Sequence, residues 1–254
     1  MPPSVTKDRF TVLGVHPAPA HLSKFDFESK IEAFLESILA LPIAQKYFLK
    51  TEIFFQTKEL AQLEGSSEGF WLPEPEPTMC IIKYEFETLD HNIEVLNDPE
   101  LLAVVLGEQE LGFNTLSTTF AADVLTTIDA PASQSAVTLQ EHKHVVSLFK
   151  GPGLEAFEQQ VKIITGIPAA QKNILKHSVY IQNNNLESRL QALGRRPIEP
   201  VSVVIYETET LDNLNALFAD AEVKKIVGGA QRESGFLESS HRFIARRVTK
   251  LEKA

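Results

Sequence analysis

The sequence predicts an α+β fold in which one βαββαβ module occurs twice along the chain. Two internal matches support this prediction. Residues 41–50 match 167–176 at six of ten positions, and residues 84–90 match 206–212 at six of seven. Both matches keep the same order, and apolar residues recur with the same succession of helical and strand spacing around them. We therefore interpret the chain as a tandem repeat.

The two matches also define the extent of each module. Their offsets are 126 (167 − 41) and 122 (206 − 84) residues, and a longer loop around 65–69 in the first copy accounts for the difference. We predict a first module over residues 8–130 and a second over 140–252. The stretch between them consists of small and polar residues with one proline, a composition that is typical of a linker.

Each predicted module begins with a strand followed by a helix. In the first copy, apolar residues recur at helical spacing from Phe27 to Leu39, and Asp26 is placed to cap this helix. The counterpart in the second copy carries Leu154, Phe157, Val161 and Ile164, and Gly166 and Pro168 are expected to end it.

Two further strands, a second helix and a last strand complete each predicted module. The second helix begins after Thr88 in the first copy and after Thr210 in the second, and both threonines stand where an N-cap belongs. The predicted strands are 10–16, 46–55, 78–86 and 118–128 in the first copy, and 144–150, 172–181, 201–206 and 241–250 in the second.

The order βαββαβ predicts how each module packs. The first and third strands lie in the middle of the sheet in this topology, and both helices cover one face. The other face is apolar and must be buried, so we expect the sheets of the two copies to pack face to face.

Composition narrows the classes of function. The chain has 254 residues, 43% of them hydrophobic, and a formal net charge of −10, which disfavours binding to nucleic acid or to anionic lipid. Its single cysteine, Cys80, lies in an apolar run and is interpreted as a small buried residue. The first residues lack the apolar core of a signal peptide, and no apolar run approaches the length of a membrane span. A soluble cytoplasmic protein is the expectation.

The doubled βαββαβ pattern and the Tyr-Glu-x-Glu-Thr-Leu-Asp step from third strand to second helix resemble the dimeric α/β-barrel superfamily. The resemblance covers nearly the whole chain, in a fused tandem form of ferredoxin-like modules. More narrowly, the chain resembles the EthD-like and antibiotic-biosynthesis-monooxygenase-like proteins. The resemblance implies an intrachain barrel with up to two pockets, each between a sheet and its helices. Members include cofactor-free monooxygenases, cyclases, isomerases and haem enzymes, so function must be argued from the site.

Histidine and tyrosine are the residues with which such a pocket could carry out cofactor-free chemistry. A base generates an enolate or phenolate, and a donor holds the resulting oxyanion. His16 ends the first strand, where Lys150 is its expected counterpart, and His177 replaces Thr51 on the second strand. For each histidine, a catalytic role competes with a purely structural one.

Tyr84 and Tyr206 form a symmetric pair at the end of the third strand. Their hydroxyl groups either line the pockets as donors or belong to core rings that reach solvent. The neighbouring Glu85 and Glu207 are expected to cover a solvated edge. His241, Arg242, Arg246, Arg247 and Lys250 are interpreted as a charged strand edge rather than as an anion site.

Other kinds of site receive little support. His142 and His144 are spaced to face one way on a strand, but the sequence places no third ligand beside them, so no metal site is predicted. No glycine-rich phosphate loop occurs, which disfavours nucleotide cofactors. No cofactor is expected, since haem is implied only by fold analogy. The single tryptophan, Trp71, is interpreted as an anchor for the long loop of the first copy.

The sequence thus leaves two main hypotheses of function. The first is a cofactor-independent oxygenase or cyclase that acts on an aromatic, polyketide-like or other apolar carbonyl substrate through His16, His177, Tyr84 and Tyr206. The alternative is a non-catalytic barrel that binds small molecules or is associated with stress, and a purely structural role is a third reading. The fused modules form a pseudo-dimer, so either a monomer or a homodimer is expected.

Overall fold

The computed structural model describes residues 9–62, 76–113, 115–130, 142–194 except 151–164, 201–225 and 241–253. Within these ranges the first module contains β1 (Phe10–Pro17), α1 (Lys24–Leu39), α2 (Pro42–Tyr47), β2 (Lys50–Gln56), a 3₁₀ helix (Glu59–Gln62), β3 (Met79–Phe86), α3 (Leu89–Asn97), α4 (Pro99–Gly107) and β4 (Thr118–Asp129). The second contains β5 (Lys143–Lys150), α5 (Pro168–Asn173), β6 (Lys176–Asn183), α6 (Glu187–Ala192), β7 (Val201–Thr208), α7 (Leu211–Ala219) and β8 (His241–Glu252).

The eight strands form one closed barrel in the order β1-β3-β2-β8-β5-β7-β6-β4. The first and third strands of each module lie in the middle of its half of the sheet, as predicted. The modules join at two antiparallel seams, where β2 pairs with β8 and β4 pairs with β6. The chain is therefore a mixed α+β barrel whose two halves face each other and also share one continuous hydrogen-bonded wall.

The two faces of the sheet pack in different apolar clusters. One apolar cluster draws on strands of both modules and fills the barrel interior, with Leu13, Phe54, Val146 and Phe243 among its members. Two other clusters lie between the outer face of the sheet and the helices, one for each module. Cys80 belongs to the first of these and is fully buried, as predicted. Alternate residues along a strand thus point to the interior and to the helices.

Prolines explain why two predicted strands begin late. Pro42 and Pro168 are the first residues of α2 and α5, where a fixed φ and a missing N–H favour a helix start. These short helices extend through Tyr47 and Asn173, the second residues of the strands predicted over 46–55 and 172–181, so β2 begins at Lys50 and β6 at Lys176. The helix predicted over Leu154 to Ile164 and the loop with Trp71 lie outside the described residues.

Helix caps follow the sequence in two of three predicted places. The side chains of Thr88 and Thr210 accept hydrogen bonds from the backbone N–H groups of His91 and Asn213, both at 3.2 Å. For α1, however, the cap is Ser23, which accepts from the N–H of Asp26 at 3.1 Å. Asp26 instead lies in the first turn, where its charge suits the helix dipole.

Strand β8 is not the charged edge that its basic residues suggested. It pairs on both sides, with β2 and with β5, because barrel closure removes free edges. Its outward basic groups meet acidic residues of α1: Arg246 lies 2.9 Å from Glu28, and Lys250 lies 2.7 Å from Glu32. No described helix is long and apolar enough to span a membrane.

Candidate functional site

A cavity of about 130 Å³ lies in the first module, between the outer face of the sheet and the helices. Strands β1 and β3 form its floor, α1, α3 and α4 form its walls, and Leu190 and Leu193 from the second module close one side. Its lining residues are Val12, Gly14, His16, Phe34, Ile38, Phe48, Tyr84, Phe86, Asn92, Val95, Leu96, Leu101, Leu102, Val105, Leu106, Phe113, Thr119, Leu190 and Leu193. No charged carboxylate, lysine or arginine is among them, so the cavity suits an uncharged, mainly apolar molecule.

His16 lines this cavity from the end of β1, and only 6% of its surface is exposed. Its Nδ1 atom shares a hydrogen bond of 2.7 Å with the Ser117 hydroxyl, and its ring packs edge-on to Phe113 with 4.9 Å between centroids. These two contacts hold the imidazole in one orientation. Ser117 is 101 residues away in the chain, so sequence analysis did not associate it with His16.

Gly14 makes room for the imidazole. It lies two residues before His16 on the same face of β1, and a Cβ atom there would stand 2.3 Å from His16 Nε2. Such a separation is far inside van der Waals contact, so no larger residue permits this ring position. Sequence analysis overlooked Gly14, although an isolated glycine within a strand often marks a close approach.

Tyr84 lines the same cavity as His16, and the sequence had left its role open between a pocket donor and a core ring. It is half-buried on β3, opposite Val12, and its ring lies 5.5 Å from that of Phe48. Of the two β3 residues that line the cavity, Tyr84 and Phe86, Tyr84 is the one with a hydroxyl group. The cavity thus brings His16 and Tyr84 to one space.

Asn92 is a polar lining residue that sequence analysis missed. It lies on α3 with 3% of its surface exposed, and its Oδ1 atom has no hydrogen-bond partner among the described residues. An unpaired buried carbonyl costs about 1–3 kcal/mol, so its presence calls for an explanation. The repeat offered a signal, because the position 122 residues later is Leu214.

His177 and Tyr206 lie together in the second module, away from the cavity described above. Their rings are nearly parallel with centroids 6.1 Å apart, and both residues are buried. His177 Nδ1 bonds the Thr127 hydroxyl at 2.8 Å, and burial lowers the pKa of the imidazole to about 4. Burial also raises the pKa of the Tyr206 phenol, whose hydroxyl has no hydrogen-bond partner in the described part of the chain.

The strand register shows which second-module residue corresponds to His16. On the paired strands, His16 stands opposite Cys80. The second-module equivalent of Cys80 is Ser202, and Phe149 stands opposite it. Phe149 is therefore the counterpart of His16, and the expected counterpart Lys150 is wrong by one residue. By the same register Gly14 corresponds to Ser147, whose hydroxyl accepts a hydrogen bond of 2.9 Å from Arg242 Nε. A serine and a phenylalanine therefore occupy the second-module positions that correspond to Gly14 and His16 of the cavity floor.

A second set of ionisable groups lies inside one end of the barrel and not on a solvated edge. Glu85 and Glu207 were expected at such an edge, but their positions on β3 and β7 point inward, where Glu207 is 9% exposed. Lys83 lies 2.5 Å from Glu52 and 2.9 Å from Glu85. Closure of the barrel turns both glutamates into its interior because they alternate with the helix-facing tyrosines.

The same interior set contains His142 and His144, which contact Glu207 at 2.5 and 3.5 Å. Burial would raise the pKa of the Glu207 carboxyl, yet the two histidines and Arg247 lower it to about 2. Burial lowers the pKa of His144, against the opposing effect of Glu207. In the described residues no three histidine, cysteine or acidic groups are arranged to hold a metal ion.

The sequence matches no protein-family model and no curated protein. Several solved structures nevertheless resemble the chain along nearly its whole length. An anthrone oxidase-like protein is 12% identical with a TM-score of 0.57, and the match covers 99% of this chain and 98% of the other.

Two bacterial proteins described as "putative monooxygenase" also match. The protein from Lactobacillus acidophilus is 9% identical over 97% of both chains, with a TM-score of 0.50. The protein from Fusobacterium nucleatum is 8% identical over 96% of both chains, with a TM-score of 0.53. At these identities the likeness concerns the fold, and the chemistry has to be argued from the cavity.

Proposed function

The chain is a dimeric α/β barrel contained in one polypeptide, and from this premise we propose that its first-module cavity binds and oxidises a small apolar carbonyl or aromatic compound. Dioxygen is the second substrate, and no bound cofactor takes part. The names of the three structural neighbours, an anthrone oxidase-like protein and two proteins described as monooxygenases, support oxygenation as the class of reaction. Cyclisation of a similar substrate would use the same base and donor.

The observation that carries this proposal is one apolar cavity that contains both His16 and Tyr84. His16 is oriented by Ser117 and Phe113, as a base must be if it is to reach a bound substrate. Apolar walls exclude water and strengthen hydrogen bonds to a developing charge. The interior charge network is separate from this cavity, and we give it no catalytic role.

The proposed reaction begins when His16 accepts a proton, either from an acidic C–H group beside a carbonyl or from the O–H group of a phenol. Tyr84 donates a hydrogen bond to the enolate or phenolate oxygen that results. The electron-rich carbon then transfers electrons to dioxygen and forms a C–O bond, and the hydroperoxide loses water. The net change for a methylene group is CH₂ + O₂ → C=O + H₂O, so dioxygen is the only oxidant required.

Oxygen uptake with a panel of anthrone-like and hydroxynaphthalene compounds tests this function. For a substrate found in the panel, His16→Gln should lower the rate at least about 100-fold, because general-base catalysis supplies a factor of 10² to 10⁴. Tyr84→Phe should lower it by about 100-fold through loss of the oxyanion donor. Affinity measured by calorimetry should change less than the rate in both variants.

The second module supplies the comparison variants. His177→Gln and Tyr206→Phe alter the other candidate pair, and we expect both to retain most of the activity. Full oxygen uptake by His16→Gln would overturn the assignment of His16 as base. Loss of uptake only in His177→Gln would move the reaction to the second module.

A non-catalytic binding barrel is the second candidate, and the apolar character of the cavity favours it. In the described part of the chain, the polar side chains of the lining come from His16, Tyr84, Asn92 and Thr119. This reading predicts tight binding of apolar compounds that are recovered unchanged after aerobic incubation, as measured by mass spectrometry. Conversion of the bound compound would contradict it.

A further inference from the structure

The carbonyl oxygen of Asn92 is a hydrogen-bond acceptor that the protein itself leaves unused. Asn92 lines the cavity from α3 and is 3% exposed, and among the described residues no group donates to its Oδ1 atom. Buried polar atoms are nearly always paired in folded proteins. A missing donor on the wall of a cavity therefore points to a group that arrives with the occupant of that cavity.

The internal repeat shows that the fold does not need an amide at this place. Thr88 and Thr210 cap α3 and α7 in the same way, so Asn92 and Leu214 occupy equivalent positions four residues after their caps. Leu214 is fully buried in the core of the second module. An apolar residue thus satisfies the packing of this helix, and asparagine appears where the described cavity lies.

The rest of the cavity wall restricts what the occupant can be. Among the described residues of the lining there is no lysine, arginine, aspartate or glutamate, so an ionised ligand would lose its hydration without gaining a counter-charge from them. Since most of the wall is aliphatic or aromatic, most of the ligand surface must be apolar. Only a small part of the ligand needs to be polar.

From these observations we propose that Asn92 is a specificity-determining residue that accepts a hydrogen bond from the ligand. The ligand is an uncharged, mainly apolar molecule that carries a hydroxyl or N–H donor, such as a hydroxylated aromatic compound. This inference rests on the proposed function only in that a small molecule occupies the first-module cavity. Asn92 selects against compounds of the same shape without a donor, because they leave its Oδ1 atom unpaired.

Three probes of related shape separate the donor from the shape of the ligand. 2-Naphthol carries a donor, 2-methoxynaphthalene keeps the oxygen without its proton, and naphthalene has neither. We expect the wild-type protein to bind 2-naphthol at least about tenfold more tightly than either other probe, as measured by calorimetry or fluorescence titration. In Asn92→Leu, which copies the second module, that preference should fall to about twofold or less while naphthalene still binds.

Two further variants keep the test decisive. Asn97→Leu makes the same change on an exposed position of the same helix, outside the cavity lining, and should retain the tenfold preference. Asn92→Ala removes the acceptor without adding volume and should lose the preference as Asn92→Leu does. Retention of the preference in both Asn92 variants, or no binding of any probe to the wild-type protein, would overturn the inference.

The outcome is independent of catalysis. If Asn92 controls the preference but no compound consumes oxygen, the proposed reaction fails and this inference stands. If oxygen is consumed and the Asn92 variants retain the preference, the proposed reaction stands and this inference fails.

Discussion

The position of the His16 imidazole depends on the absence of a side chain at Gly14, two residues earlier. His16 Nε2 lies where the side chain of any residue larger than glycine at position 14 would begin. In the second module the equivalent residues are Ser147 and Phe149, and Ser147 is hydrogen bonded by Arg242. The equivalent strands β1 and β5 therefore differ at two positions, and these differences change the polar groups that each strand directs toward its helices.

Replacing Gly14 by alanine should displace the His16 ring. The added methyl group would lie 2.3 Å from Nε2 and 2.9 Å from Cε1, so the imidazole must turn away and lose its bond to Ser117. We expect ligand affinity or oxygen uptake to fall at least about tenfold, which corresponds to 1.4 kcal/mol, because an ångström of displacement is costly for a positioned group. The imidazole nitrogen chemical shifts of His16 should change at the same time.

Gly107→Ala is the control for this substitution. Nothing lies within 4 Å of a Cβ atom at Gly107, so the same methyl group enters open space. Ligand affinity and the His16 shifts should remain as in the wild-type protein. Unchanged His16 shifts in Gly14→Ala would contradict the steric argument.

At the scale of elements, each module has a short helix that packs against the other module. Leu186 is the N-cap of α6 in the second module, and Leu190 lies on that helix. Both nevertheless pack in the cluster between the sheet and the helices of the first module. Leu60, from the 3₁₀ helix of the first module, packs in the outer core of the second. The wall of the first-module cavity is therefore completed by an element that follows β6.

Replacing Leu190 by alanine should both destabilise the protein and enlarge the cavity. Leu190 is 5% exposed, and truncation of a buried leucine costs about 2–5 kcal/mol in the free energy of unfolding. Denaturant titration measures this loss. Because Leu190 lines the cavity, a ligand with one more methyl group than a tested binder should also gain affinity relative to the smaller one.

Leu106→Ala serves as the comparison, since Leu106 also lines the cavity but is 49% exposed. Its effect on the free energy of unfolding should stay within about 0.5 kcal/mol, as is usual for exposed positions. A similar loss of stability in both variants would contradict the argument that the burial of Leu190 on α6 makes its truncation more costly.

For the whole molecule, Arg247 connects the two modules inside the barrel. It comes from β8 of the second module and lies 3.8 Å from Glu52 of the first and 3.4 Å from Glu207 of its own. Burial would raise the pKa of Glu52, but Lys83, Lys50 and Arg247 lower it to about 2. The carboxyl pKa values of Glu52 and Glu207 are therefore both lower in the folded protein than in the unfolded chain.

This direction of shift determines the pH dependence of stability. A carboxyl whose pKa is lowered from 4.5 to about 2 on folding contributes stability that is fully present above about pH 4.5. The contribution is lost as the pH falls toward 2, because protonation removes the charge that the cations stabilise. Arg247→Met should lower the free energy of unfolding at pH 7 by about 1–3 kcal/mol, since it leaves two buried carboxylates with one cation fewer.

The difference between Arg247→Met and the wild-type protein should shrink between pH 4.5 and 2, as measured by denaturant titration at several pH values. Arg246→Met is the matched control, because Arg246 is 48% exposed and pairs with Glu28 outside the barrel. Its effect should not exceed about 1 kcal/mol at any pH. A loss of stability for Arg247→Met that is constant from pH 7 to 2 would contradict the electrostatic explanation.

The sequence by itself determined the α+β fold class and the order of the strands, and it named His16 and Tyr84 as candidate pocket residues. These features depend on local periodicity and capping, which each segment carries in its own residues. Thr88 and Thr210 illustrate this, because a cap bonds to a backbone group only three residues away. The short helices α2 and α5 were missed because a proline at a helix start resembles a break between longer elements.

Only the tertiary structure decided which distant residues meet. The bond of His16 to Ser117 spans 101 positions, and Arg247 reaches Glu52 through a seam between modules. Barrel closure also turned Glu85 and Glu207 inward, and strand register gave Phe149 as the counterpart of His16. The physical reason is that periodicity records which side of an element is buried, whereas contacts between elements depend on register, closure and packing that no single segment encodes.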